Sequence, residues 1–166
     1  MRKNRDHVST YQGARQAHWD GVACKKDNWT SSGAYYHQRL AQIYQFLVTP
    51  GQRVLEIGCG MGGLLATLNP RLGVGIDFSS EMIKRGAQRH PQIHFIQGDA
   101  HHLSLQQKFD VIILSDLVND LWNVQAVFQE IARLSTPRTR IIINTYSRLW
   151  ELPLALAQRR NLATPV

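Results

Sequence analysis

A short apolar strand that runs directly into a glycine-rich loop is the feature that most constrains the fold of this chain. Residues 53–57 are followed at once by Gly58, Gly60 and Gly63. Glycine reaches backbone angles that other residues adopt only at a cost, and it lets the main chain approach a ligand with no side chain between. The pattern predicts a strand, a tight turn and a helix, with a ligand beside the turn at the carboxyl end of the strand.

The alternation of apolar strands and helical stretches continues along the chain. Strands are predicted at 53–57, 73–77, 93–97, 110–114 and 140–145, and helices at 62–68, 80–89 and 123–134. Ser79 or Ser80 is the expected N-cap of the second of these helices. Strands that are apolar throughout are typical of a parallel sheet covered on both faces. We therefore expect an α/β fold with an open, doubly wound, mainly parallel Rossmann-like sheet.

The 166 residues suit one domain preceded by an arm. Residues 1–32 are polar and lack sustained periodicity, so they are interpreted as a loosely ordered N-terminal arm. The domain is predicted to cover residues 33–166. It opens with a helix from Gly33 whose apolar residues recur at spacings of three and four: Leu40, Ile43, Tyr44 and Leu47.

Composition restricts the classes of partner. The net charge is +7, but the 19 Lys and Arg residues are spread along the chain without a run of five like charges, which makes a nucleic-acid partner an unfavoured hypothesis. The longest apolar runs cover about one strand, far below the ~20 residues of a membrane span. Two unclustered cysteines, Cys24 and Cys59, favour a reducing cytoplasm over a secreted scaffold.

Acidic residues stand at three positions around the glycine loop. Asp77 ends the second strand, 19 residues after Gly58, where a carboxylate can accept hydrogen bonds from both hydroxyls of a ribose. Asp99 follows the third strand, where a carboxylate can accept from an adenine amino group. Glu56 precedes Gly58 by two residues, and a carboxylate there disfavours a pyrophosphate and suits a cationic ligand.

The glycine spacing by itself leaves other interpretations open. Gly58, Gly60 and Gly63 also satisfy the G-x-G-x-x-G pattern of NAD and FAD sites, and glycines can serve a turn alone. A NAD site would share Asp77 but would need neither Asp99 nor a carboxylate before the first glycine. The two acids after successive strands therefore decide between the hypotheses.

The residues 56–62 resemble the E/D-x-G-x-G-x-G motif of class I S-adenosylmethionine (SAM)-dependent methyltransferases. Asp77 resembles the ribose acid of that family, and Asp99 lies in a Gly-Asp-Ala segment similar to its adenine-binding strand end. The resemblance extends from about Tyr36 to Tyr146. It implies SAM as cofactor, S-adenosylhomocysteine as product, and a cofactor site formed by Glu56, Gly58, Cys59, Gly60, Gly62, Asp77, Phe78, Met82, Asp99, Ala100 and Ser115.

Within this resemblance, the residues divide by the part of SAM they would contact. Gly58 and Gly60 would line the methionine part with their backbone, and Ser115 would lie near it. Phe78 and Met82 would flank the adenine ring, with plain core packing as the alternative for both.

Methyl transfer is an in-line displacement on a sulfonium carbon, so positioning and water exclusion do most of the work. The sequence contains no convincing catalytic motif, and the catalytic residues stay unassigned. Asp116 could orient a nucleophile or take a proton, with a capping or solvated loop acid as the alternative. Tyr35, Tyr36 and His37, which open the first helix, could cover the sulfonium or simply pack. His101 and His102 lack cysteine partners at metal-ligand spacing, so no metal is expected.

The end of the chain is expected to be short of the full fold. Class I methyltransferases have seven strands, but about 21 residues follow the fifth predicted strand, and Trp150–Arg159 is predicted to be helical. Strands six and seven would then be missing, leaving residues 141–143 as an apolar edge for a dimer partner or a fused C-terminal domain to cover. The chain is similar overall to N-terminal methyltransferase domains of bacterial proteins fused to a family 2 glycosyltransferase, which implies a longer protein.

The leading hypothesis is a cytoplasmic SAM-dependent methyltransferase acting on a small-molecule or glycan-pathway acceptor. A SAM-binding regulatory module without catalysis would carry the same cofactor motifs. A NAD-dependent oxidoreductase is the enzyme alternative.

Overall fold

The structure, a computed structural model, describes residues 13–23, 32–145 and 156. The helix predicted at 150–159 lies, apart from Leu156, outside these residues. The described helices are α1 (residues 13–23), α2 (Ser32–Leu47), α3 (Gly63–Thr67), α4 (Ser80–Arg89) and α5 (Val124–Leu134). The strands are β1 (Arg53–Ile57), β2 (Leu72–Asp77), β3 (His94–Gln97), β4 (Val111–Ser115) and β5 (Arg140–Asn144).

All described strands run parallel, in the order β3-β2-β1-β4-β5. The predicted doubly wound, Rossmann-like sheet is confirmed, and every predicted strand agrees with an observed one to within one residue at each end. The chain first builds outward from β1 to β3 and then returns to the other side of β1 with β4. The reversal between β1 and β4 opens a crevice at their carboxyl ends, which is where such sheets bind ligands.

The sheet is covered on both faces by helices, which explains why its central strands are apolar throughout. One face packs against α5 through a cluster of buried residues that includes Leu55, Ile112 and Ile131. The other face packs against α2 and α3 through a second cluster that includes Tyr44, Leu65 and Ile113.

A buried hydrogen bond ties α2 to the far edge of the sheet. The Tyr44 hydroxyl donates to Oδ1 of Asn144, at the end of β5, over 2.6 Å. Burial, with the nearby charge of Glu56, raises the pKa of Tyr44 to about 12. Tyr44 therefore stays a neutral donor throughout the ordinary pH range.

Helix α1 lies inside the segment that sequence patterning predicted to be a loosely ordered arm. Its last turn packs Val22 and Ala23 against Met82 of α4. Asp20 accepts a hydrogen bond from the Ser79 hydroxyl and a longer one, at 3.5 Å, from the Glu81 backbone N–H. Contacts with residues some 60 positions away, rather than local periodicity, therefore hold this helix against the domain.

Ser79 is the N-cap of α4, and Ser80 is its first residue. The Ser79 hydroxyl oxygen accepts from the backbone N–H of Met82 at 3.2 Å while its proton goes to Asp20.

We expect Ser79→Ala to lower the free energy of unfolding by about 1–2 kcal/mol, since it removes a buried cap. Ser80→Ala, at an exposed position, should change it by less than about 0.5 kcal/mol. Urea denaturation of both variants measures the difference, and equal effects would contradict the assignment of the cap.

Candidate functional site

A cavity of about 370 Å³ opens at the carboxyl edge of the sheet, at the reversal between β1 and β4. Its wall combines the residues that follow β1, β2, β3 and β4 with Arg15 and Gln16 of α1. The carboxyl ends of parallel strands meet at this one edge of the sheet, which is the edge where open α/β sheets bind ligands. This cavity is therefore the candidate site.

The glycine loop after β1 is closed by backbone hydrogen bonds. The N–H groups of Gly58 and Cys59 both donate to the Ile76 carbonyl, at 2.8 and 3.0 Å. Gly58 has φ +73°, and a Cβ there would lie 2.8 Å from Cδ1 of Leu117. The backbone angle favours glycine at the cavity wall, and any larger residue would also displace the Leu117 side chain.

Asp77 links this loop to the beginning of α4. Its Oδ2 accepts from the Gly60 N–H at 2.8 Å, and its Oδ1 accepts from the Ser79 N–H at 2.9 Å. The side chain lines the cavity, yet Asp77 is only 7% exposed. Burial raises the pKa of Asp77, and the backbone donors oppose that rise. The two bonds fix the carboxylate while leaving lone pairs on each oxygen for a ligand.

Asp99 and His101 form the neighbouring part of the wall, beyond the end of β3. Oδ1 of Asp99 accepts from the backbone N–H of His101 at 2.9 Å and lies 2.6 Å from Nδ1 of the same histidine. The His101 ring stacks on Trp122, with ring centroids 4.6 Å apart and planes inclined by 23°. Trp122, in the connection between β4 and α5, thus supports the His101 ring, and the ring contacts the Asp99 carboxylate.

Glu56 is a buried acid close to the loop. It is 3% exposed, and its Oε2 has no hydrogen-bond partner among the described residues. Burial, opposed by a backbone hydrogen bond and reinforced by the charge of Asp77, raises the pKa of Glu56 to about 8. The protonated acid is therefore favoured at neutral pH until a positive charge approaches.

The structure brings part of the predicted site together at the cavity. The residues on its wall are Gly58, Asp77, Phe78, Asp99 and Ala100. The predicted residues that do not line it are Glu56, Cys59, Gly60, Gly62, Met82 and Ser115. Met82 lies in the small apolar cluster under α1, which is the core-packing alternative for this residue. Burial raises the pKa of the Cys59 thiol, whose sulfur packs against Gly75.

Several wall residues were not predicted from the sequence. Arg15, Leu117, Leu121 and Trp122 line the cavity, and Arg15 forms an ion pair with Asp120 across it. The segment around Arg15 carries no periodicity or motif that would have identified it. The aromatic Trp122, directly before the helix predicted at 123–134, was the one available signal.

Asp116 is held by a separate network at the ends of β4 and β5. Its carboxylate accepts from the Tyr36 hydroxyl at 2.9 Å and from the Asn144 side-chain amide at 2.7 Å. Its φ of +54° lies in the left-handed region, which aspartate and asparagine adopt more often than other residues apart from glycine. The strand order places Asp116 beside the carboxyl end of β1, although it does not line the cavity.

Two further findings concern other kinds of site. Within the described residues, no three His, Cys, Asp or Glu side chains are grouped closely enough to hold a metal ion. No helix in the described part of the chain has the length and apolar character needed to cross a bilayer.

Residues 48–164 match the family model described as "Methyltransferase domain". The chain belongs to this family. It is 29% identical over 140 residues to a demethylmenaquinone methyltransferase of Renibacterium salmoninarum, covering 79% of this chain and 58% of that one. It is 33% identical over 144 residues to a fatty-acid O-methyltransferase of Mycolicibacterium smegmatis, covering 76% and 51%.

A solved methyltransferase supports the same family. The Geobacter sulfurreducens SAM-dependent methyltransferase, crystallised with S-adenosylhomocysteine, superposes with a TM-score of 0.54 at 25% identity, covering 74% of this chain and 52% of that one. The methyltransferase domain thus spans only about half the length of the relatives it matches.

The buried Glu56 predicts a pH dependence of stability. Its pKa rises from 4.5 to about 8 on folding, so between these values the folded chain keeps a proton that the unfolded chain has lost. The free energy of unfolding must then fall as pH rises through this window. In Glu56→Gln this contribution disappears, so the melting temperature of the variant relative to wild type should increase from pH 5 to pH 8. A difference that does not change with pH would contradict the assignment.

Proposed function

We propose that the cavity binds SAM and that the chain is the cofactor-binding part of a methyltransferase acting on a small-molecule acceptor. The observation that carries this proposal is the pair Asp77 and Asp99 on one cavity wall, beyond neighbouring strands, with the glycine loop between the cavity and β1. Family membership and the relatives named as methyltransferases support it.

The donor and acceptor groups on the wall suit a nucleoside. Asp77 presents a fixed carboxylate at the end of β2, which fits the hydroxyls of a ribose. Asp99 presents an acceptor at the end of β3, which fits an exocyclic amino group. The same wall also carries the apolar residues Ile57, Ile76 and Phe78, which suit the faces of a purine. The cavity volume is in the range of small-molecule sites.

Glu56 favours SAM over a dinucleotide. A buried acid with an unpartnered oxygen gains from a nearby cation, because a positive charge favours its ionised form. A pyrophosphate at the same loop would instead meet the Asp77 carboxylate on the cavity wall, with Glu56 buried two residues before Gly58. The wall therefore fits the positively charged sulfonium and ammonium groups of SAM better than the phosphates of NAD.

SAM, when bound, supplies a methyl group on a carbon already activated by the sulfonium charge. The chain has then to hold the cofactor, orient the acceptor and keep water out. Asp77 and the glycine loop serve the first of these tasks. Asp116, held by Tyr36 and Asn144, is the candidate to orient a nucleophile or accept its proton.

The relatives indicate the class of acceptor. Those named for demethylmenaquinone and for fatty acids act on small lipophilic molecules. We extend this class to the present chain as its acceptor. A glycan-pathway acceptor, and the fusion to a glycosyltransferase that would accompany it, stay predictions from the sequence resemblance.

Calorimetric titration with S-adenosylhomocysteine, with NAD in parallel, tests the cofactor. We expect micromolar binding of S-adenosylhomocysteine and no heat with NAD. Asp99→Asn should weaken binding by about tenfold or more, because it replaces an ionised acceptor by an amide. Glu81→Gln, which removes the same charge from the surface of α4, should bind as wild type. Binding of NAD alone would overturn the proposal.

Asp116→Asn tests the acceptor side. Affinity for S-adenosylhomocysteine should stay within about twofold, whereas transfer of labelled methyl to demethylmenaquinone, supplied in its reduced form, should fall by about 100-fold if Asp116 takes the proton. The substitution preserves the shape of the side chain and its acceptance from Tyr36. Methyl transfer at the wild-type rate would remove Asp116 from the mechanism.

A further inference from the structure

The contact between His101 and Asp99 joins two residues of the cavity wall. Asp99 Oδ1 receives the backbone N–H of His101 and lies within hydrogen-bond distance of its Nδ1. The backbone bond alone would leave the carboxylate some freedom to turn about its own axis. A second donor on the same oxygen, from a different direction, fixes the plane of the carboxylate.

The His101 ring is itself held firmly. It is 5% exposed and packs flat against Trp122. The half-exposed Asp99 side chain is therefore braced by a buried ring that has little freedom of its own. Bracing before a ligand arrives reduces the entropy that binding would otherwise lose.

The other ring nitrogen of His101 shows that stability alone does not explain this placement. Nε2 is buried and has no hydrogen-bond partner among the described residues. A buried, unsatisfied polar atom is destabilising. Within the described structure, the side-chain hydrogen bond that His101 makes is the contact with Asp99. This contact is therefore the feature that explains a histidine at this position.

We infer that His101 is a positioning residue that orients the Asp99 carboxylate to recognise the amino group of a purine. This inference rests on the proposed function and deepens it, because it assigns the selectivity for a 6-amino over a 6-oxo purine to His101. A carboxylate in a fixed plane accepts from an amino group but repels a carbonyl oxygen at the same position. A carboxylate free to turn away discriminates less.

A matched pair of substitutions separates the hydrogen bond from the space that the ring fills. Asn and Leu have the same branching and similar size. His101→Asn keeps a nitrogen donor at the position of Nδ1, whereas His101→Leu has none. Neither keeps the stack on Trp122, so the difference between them isolates the contact with Asp99. His102→Leu, at the exposed neighbouring histidine, controls for the loss of an imidazole.

The experiment is calorimetric titration of each variant with S-adenosylhomocysteine and with its deaminated analogue, S-inosylhomocysteine. We expect wild type, His102→Leu and His101→Asn to prefer the amino compound. His101→Leu should lose about tenfold in affinity for the amino compound and little for the inosine compound, so that its preference collapses.

The outcomes separate this inference from the proposed function. If wild type binds the amino compound and His101→Leu keeps the wild-type preference, or weakens both ligands equally, the positioning role is overturned while SAM binding stands. If wild type binds neither compound, both fall. Thermal melting of each variant shows whether it is folded. Should His101→Leu not fold, loss of the preference in His101→Asn would overturn the inference on its own.

Discussion

The hydrogen bonds of Asp77 are the interaction on which the rest of the site depends. One carboxylate, at the end of β2, holds the backbone of the glycine loop through Gly60 and the beginning of α4 through Ser79. Ser79 in turn caps α4 and donates to Asp20 of α1. A single buried side chain therefore sets the relative positions of a loop, a helix and, indirectly, the segment over the cavity. Its removal would release all three rather than merely lose a ligand contact.

The charge of Asp77 also disfavours ionisation of a second buried acid, Glu56. Asp77 and Glu56 are both buried: burial raises both pKa values, and the charge of Asp77 adds to the rise for Glu56. A folded chain that carries two such acids is less stable at higher pH than one with neutral side chains in their places. A cationic ligand relieves this repulsion. Burial of these two acids therefore lowers the stability of the folded chain and also favours a positively charged ligand.

The sequence predicted what depends on local pattern. The strands and the glycine loop follow from apolar runs and turn residues that neighbour one another, and the acids at the ends of β2 and β3 follow from their place after those runs. The choice between Ser79 and Ser80 as N-cap stayed open because Asp20 helps to settle it from 59 residues away. Arg15 and Trp122 could not be placed on the wall for the same reason. Their positions depend on tertiary contacts that leave no periodicity in the chain.

The two ends of α1 are held with unequal strength. At its carboxyl end, Val22 and Ala23 are buried against Met82, and apolar burial is insensitive to salt. Near its amino end, Arg15 pairs with Asp120; both side chains are about one-fifth exposed, and this contact depends on charge, which salt screens in part. The cavity wall that α1 supplies is therefore anchored mainly over α4. The Arg15 side of the wall, held by a charge pair, is the part of this contact whose stability depends most on ionic strength.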